Sequence, residues 1–213
     1  MAALRSTGAD TDLVYTRSIT ASALAARLGY ATALELHAPA FALRFLQIRR
    51  LRWLLHSPKL KALVVISQKL RDHYVRDFPE AADKIVVAHD GADSIDEAPH
   101  VETQSLKGAF TVGYVGHLYP GKGMEIITPR ARKCQWATFH IVGGAEPDLC
   151  MWKERLSSLP NVVFHGHVPH GQTQSYLEAM DVVIAPYLRV VHGVGGGNVN
   201  LAEGMSPLKI FEY

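Results

Sequence analysis

Residues 110–123 read Phe110-Thr111-Val112-Gly113-Tyr114-Val115-Gly116-His117-Leu118-Tyr119-Pro120-Gly121-Lys122-Gly123, followed by Met124-Glu125-Ile126-Ile127. Short apolar residues with β-branched members predict a strand over 110–115. Gly116 to Gly123 then forms a glycine-rich loop, and the pattern predicts a helix over 124–133 despite Pro129. Strand, loop and helix in that order make half of a βαβ unit. A lysine between glycines can reach a diphosphate while the backbone stays out of its way. Lys122 is therefore a candidate phosphate ligand, although a solvated turn lysine has the same local sequence. The loop is not a Walker loop, because Gly123 stands where that motif needs Ser or Thr.

The alternation continues on both sides. Downstream, strands are expected at 138–142, 162–164 and 182–185, with helices at 149–156 and 173–179. Upstream, strands are expected at 13–16, 31–36, 63–66 and 85–88. Helices are expected at 20–28, at 41–55 and from Ser67 onward. In the second of these, Phe41, Phe45, Ile48, Leu51 and Leu55 share one face. Residues 94–106 are polar and acidic, contain Pro99 and lack a period, so they read as a linker. The organisation expected is α/β: a partial Rossmann-like domain over 1–94, a linker at 95–107 and a second partial Rossmann-like domain over 108–213. Ligands of such sheets bind beyond the carboxyl ends of the strands.

The chain ends Ser206-Pro207-Leu208-Lys209-Ile210-Phe211-Glu212-Tyr213. Ser206 suits a helix cap, Pro207 suits the first helical position, and Leu208 and Phe211 share a face. Gly193 and Gly195 to Gly197 stand upstream. A glycine-rich loop feeding a helix start favours anions. No helix end follows, and the expectation is a chain cut inside this element.

Composition excludes several classes. The 213 residues carry a net charge of +2, too little for a nucleic-acid binder defined by a basic field. No apolar run reaches the length of a membrane span, and the first residues lack the apolar core of a signal peptide. Cys134 and Cys150 lack ligand spacing and read as free thiols in a reducing compartment. A cytoplasmic location is expected. His165, His167 and His170 have no nearby carboxylate or cysteine to complete a metal set, so no metal site is expected. Arg44, Arg49, Arg50 and Arg52, with Lys59 and Lys61, give the 41–61 segment a basic face. It would suit peripheral contact with an anionic membrane, or simply solvent. Neither a serine-nucleophile elbow nor a dinucleotide fingerprint is present. His37 closes an apolar strand, with Pro39 fixing the exit; it could face a substrate or be structural.

Taken together, several segments occur in the order seen in family 4 (group 1) glycosyltransferases, which the chain resembles along nearly its whole length. They include Gly116-His117…Lys122-Gly123-Met124-Glu125, His140-Ile141-Val142-Gly143-Gly144, Asp181-Val182-Val183-Ile184-Ala185-Pro186 and the tail from Ser206 to Tyr213. Glu35-Leu36-His37 and His89-Asp90-Gly91 fit the first half. The resemblance implies the GT-B architecture, with both Rossmann-like halves incomplete here. It also implies a nucleotide-sugar donor, a glycan or lipid-linked acceptor, retention of configuration and no cofactor or obligatory metal. On this resemblance Lys122 meets the donor diphosphate and Glu212 holds the ribose hydroxyls. Ser206, Leu208 and Lys209 form the helix start near the phosphates, and His37 lies near the reacting carbon. Gly143 and Val168 line the base pocket, and His117 takes a position often held by arginine. The partner of Glu212 in the family's glutamate pair falls on Gly204, with Glu203 one place away. The alternative is a truncated fragment without catalysis that keeps residual nucleotide binding.

Overall fold

The computed structural model describes residues 13–92, 106–191, 200, 202 and 204–213. The linker centre, Gly193 to Gly197 and Glu203 lie outside the described residues. The described chain divides into two compact units. One holds the residues through Asp90 together with 204–206; the other holds those from Gly91 through Ala202 together with 207–213.

In the first unit four parallel strands lie in sequence order: β1 (Val14–Thr16), β2 (Thr32–Leu36), β3 (Leu60–Val65) and β4 (Ile85–Val87). Helices α1 (Ile19–Arg27), α2 (Phe45–His56) and α3 (Gln68–Asp77) connect them. Local chemistry sets their ends. The Ser18 hydroxyl accepts the Ala21 amide at 3.3 Å, and the Ser67 hydroxyl accepts that of Leu70 at 3.2 Å. Gly29, with φ +96°, turns the chain out of α1. Leu34, Leu51, Leu54, Leu63, Val65, Leu70 and Tyr74 build the core.

Helix α2 corrects the expected apolar stripe. It starts at Phe45 after a separate short turn at Ala40–Ala42. Leu51, Leu54 and Leu55 are buried, but Phe41 and Phe45 are 59% and 72% exposed. Shared periodicity placed all of them on one face; packing covers only the second half of it.

The second unit is also a parallel four-stranded sheet, but its order is β7-β6-β5-β8. The strands are β5 (Thr111–Val115), β6 (Thr138–Val142), β7 (Val162–Gly166) and β8 (Val182–Val183). Helices α4 (Met124–Lys133), α5 (Asp148–Arg155), α6 (His170–Glu178) and α7 (Lys209–Glu212) accompany them. The chain moves from β5 outward to β7 and then returns to the other side of β5. That reversal is a topological switch point, where the connections leaving β5 and β8 diverge and open a crevice. The Asp181 carboxylate fixes β8 there by accepting the Thr111 amide at 2.7 Å and hydroxyl at 2.8 Å. Pro129 does not break α4, and the Thr128 hydroxyl donates to the Met124 carbonyl at 2.8 Å. Cys134 and Cys150 are free.

Candidate active site

The site is built at the switch point of the second unit, from the loop after β5, the segment after β8 and helix α7. Gly116 follows β5 with φ +145°, a backbone state that side chains rarely adopt. A Cβ there would lie 2.6 Å from Lys209 Cε and 2.7 Å from its Nζ. The missing side chain is thus the space that the lysine fills. Gly123, with φ +125°, similarly admits Pro186 from the β8 side, and the Leu188 amide donates to the Gly121 carbonyl at 3.1 Å. These contacts tie the two loops together.

Helix α7 is held against β5 by its own side chains. The Tyr213 hydroxyl donates to the Val115 carbonyl and accepts the Val115 amide, both at 3.1 Å. Lys209 turns inward and is only 8% exposed. Its Nζ stands 3.7 Å from the centre of the Tyr114 ring and 5.4 Å from that of Tyr187. Among the described residues no hydrogen-bond acceptor reaches it. Half-buried Lys122 approaches the same Tyr187 ring at 5.1 Å and Tyr119 at 5.3 Å. Among the described residues, neither lysine forms an ion pair.

This is an unusual electrostatic balance. A desolvated cation–π contact is worth about 2 kcal/mol, whereas taking an ion out of water costs several kcal/mol. Tyrosine faces therefore offset part of the cost and leave the rest. Burial, reinforced by the nearby Lys122 charge and opposed by Glu212, brings Lys209 down to about 7. Burial also lowers Lys122. The tyrosines stay neutral: burial raises Tyr114, Tyr119 and Tyr187, and raises Tyr213 to about 12. Buried Tyr114 donates its proton to the His117 carbonyl at 2.5 Å. Glu125 spends one oxygen on the Gly121 amide, at 3.1 Å. The site is a small aromatic enclosure with two amines and, among the described residues, no carboxylate paired to either.

The structure brings Lys122, Lys209 and Glu212 together here, with His117 in the same loop and its ring 5.3 Å from Tyr119. Gly143 follows β6 with φ +101°, and a Cβ on it would meet the Gly116 carbonyl at 2.5 Å. Val168 lies beyond β7, two strands from β5. Ser206 corrects the expected cap: its hydroxyl accepts the Asp90 amide at 3.3 Å within the first unit, and Leu208 occupies the cap position without a side-chain bond. Leu208 and Phe211, expected to share a face, are both exposed, and Lys209 turns inward. The Lys209 side chain and the tyrosine frame were missed from sequence; the one available signal was the recurrence of tyrosine at 114, 119, 187 and 213.

His37 belongs to the first unit. The Arg17 guanidinium donates to its Nδ1 at 2.8 Å, so the proton sits on Nε2, which donates to Glu35. The Tyr15 hydroxyl donates to the same carboxylate. These bonds hold Glu35 below its ordinary range, the Tyr15 bond contributing most. Among the described residues no group of three ligating side chains could hold a metal. His165 instead lies 2.9 Å from His140, whose other ring nitrogen meets the Lys107 carbonyl at 2.9 Å.

Comparisons with known proteins bear on the fold. Residues 109–207 match the family model described as glycosyl transferases group 1. No curated protein matches the chain. Among solved structures, Anabaena HepE in complex with UDP aligns with a TM-score of 0.64 at 18% identity, over 91% of this chain and 58% of its own. The same protein with UDP-glucose aligns at 0.58 and 19%, over 85% and 55%. The pneumococcal O-GlcNAc transferase GtfA, in complex with UDP and GlcNAc, aligns at 0.54 and 13%, over 85% and 38%. The chain thus spans less than two thirds of these relatives. The two parallel sheets are the Rossmann-like halves of the GT-B fold.

Proposed function

We propose that this chain belongs to a retaining glycosyltransferase that takes a sugar from a nucleotide-diphosphate donor. The observation that carries the reading is the pair Lys122 and Lys209, unneutralised in an enclosure at a switch point. A diphosphate supplies oxygens that the two amines can meet. When the sugar leaves, charge builds on the outer phosphate oxygens as the sugar becomes oxocarbenium-like. Amines held in place and protonated in the donor complex meet that charge, and one such donor is worth roughly 3 kcal/mol. Glu212, near Lys209, is suited to accept both ribose hydroxyls. Gly143 and Val168 follow neighbouring strands on the side where a base would lie.

A glycan or lipid-linked acceptor is proposed for the first unit, where Arg17, Glu35 and His37 cluster after β1 and β2. Exposed Phe41, Phe45 and Leu46 beside Arg44 and Arg49 favour an acceptor held at an anionic membrane face. No helix among the described residues is long and apolar enough to cross a membrane. Sedimentation with phosphatidylglycerol vesicles tests this part, and binding should fall for Phe45→Ser.

A thermal-shift screen of UDP-, GDP-, ADP- and dTDP-sugars tests the donor reading. A ligand at 100 times its Kd stabilises by about 2.7 kcal/mol, a shift of several degrees. No shift with any sugar nucleotide would remove the reading. A shift without sugar transfer would leave nucleotide binding alone.

A further inference from the structure

Lys209 ends in a place where a charge has no answer. An ammonium carries three N–H donors and no lone pair. Among the described residues none of the three finds an acceptor, and Nζ rests on the face of Tyr114. Burial of an unanswered charge favours the neutral form.

The groups facing Lys209 come from several sides of the enclosure: Tyr114 from β5, Lys122 from the loop after it, Tyr187 from the segment after β8 and Glu212 from its own helix. Behind them, around Tyr114, stand Tyr119 from the same loop, Glu125 from the first turn of α4 and Tyr213 after α7. The tyrosines are neutral and Glu125 is turned to the Gly121 amide. Glu212 favours the ammonium; Lys122 and burial oppose it, and they prevail.

We propose that the resting site keeps Lys209 as a neutral amine, and that the donor's diphosphate enters together with one proton taken from solution. The inference rests on the donor reading above. No covalent bond changes except one N–H: the amine lone pair takes a proton from buffer or water and becomes the ammonium that faces the phosphate oxygens. The proton leaves again when the nucleotide leaves. Lys209 thus matches its charge to the presence of the ligand. The empty enclosure is spared a second buried cation, and the filled one gains it where a phosphate can answer it. The lowered value of about 7 accords with this geometry.

The test is calorimetric titration of the whole chain with UDP-, GDP-, ADP- and dTDP-glucose at pH 8, in buffers of different ionisation enthalpy. These sugar diphosphates do not themselves titrate near neutrality, so the slope of observed enthalpy against buffer enthalpy counts protons taken up by the protein. The expected slope is close to one proton. Affinity should weaken by up to about tenfold per pH unit above pH 7. Lys209→Arg, which is charged at every such pH, should bind with no uptake and with pH-independent affinity. Lys122→Arg should keep the uptake. Binding with no proton uptake in the unaltered chain, or uptake that persists in Lys209→Arg, overturns the inference and leaves the donor reading standing. Binding of none of the four overturns both.

Discussion

The two units carry opposite kinds of charged cluster at the ends of similar strands. In the first, Arg17, His37, Glu35 and Tyr15 follow or end β1 and β2, and each donor has an acceptor. The Arg17 guanidinium also lies 3.9 Å from Glu35. In the second, Lys122 and Lys209 crowd onto the face of Tyr187, and among the described residues no carboxylate pairs with either. Folding alone settles the first cluster, so its charges need nothing more. The second is settled only in part, by aromatic faces, and its two unpaired amines suit an anionic ligand. A cluster that a fold leaves unsatisfied is a stronger pointer to a ligand than one it has closed.

The comparison is broken most severely by removing the unanswered charge. Lys209→Met should weaken sugar-nucleotide binding by on the order of 100-fold, measured by calorimetry. It should also raise the thermal midpoint of the free chain by a few degrees, since about 1 kcal/mol moves a chain of this size by roughly 2–4 °C. The pH dependence has a definite sign. The folded value of about 7 lies below the ordinary 10.5, so between them the unfolded chain holds more protons. Stability from this group therefore rises with pH across that window, and Lys209→Met should flatten the rise. A midpoint lowered by the substitution would show that the amine is not a source of instability.

Tyr187→Glu would turn the second cluster into the first kind by supplying the missing carboxylate. Donor affinity should fall by roughly tenfold to 100-fold, a carboxylate on a phosphate site being like charge on like. Unaltered affinity would separate Tyr187 from the binding enclosure. Lys122→Ala removes the more exposed cation and should cost roughly tenfold in donor affinity, less than Lys209 because water screens it. Equal donor kinetics in this variant would take the diphosphate role away from it.

The smallest effect is expected in the first unit. Glu35→Gln should change donor affinity by less than about twofold and lower stability by about 1 kcal/mol or less. Its contribution is present above the ordinary carboxylate value of 4.5 and is lost as pH falls through its lowered folded value. A stability profile with no such acid limb, compared with Glu35→Gln by denaturant titration, would mean that the cluster is not held as described.

Much of this was legible in the sequence. Lys122 stood out because glycines flank it after an apolar strand, and those features are local. The strand–helix alternation fixed the parallel sheets for the same reason. The order β7-β6-β5-β8 was not legible, because short β8 of Val182–Val183 could have joined either edge. Lys209 was assigned by its place in the tail, with its backbone as the working part. Its inward turn depends on the absent side chain of Gly116, far away in the chain, and on the ring of Tyr114. Ser206 looked like a cap because cap signals are read within a few residues, yet its hydroxyl meets the distant Asp90 amide. Phe41 and Phe45 fell into the buried stripe of α2 because a period records which residues share a face and not how far the neighbouring layer extends.

The most direct measurement is a crystal structure of the chain with the sugar nucleotide that gives the largest thermal shift. The amines of Lys122 and Lys209 should both lie within about 2.7–3.0 Å of diphosphate oxygens, with Gly116 beneath them. A nucleotide bound with its phosphates elsewhere, and Lys209 still resting on Tyr114 without an acceptor, would contradict the account.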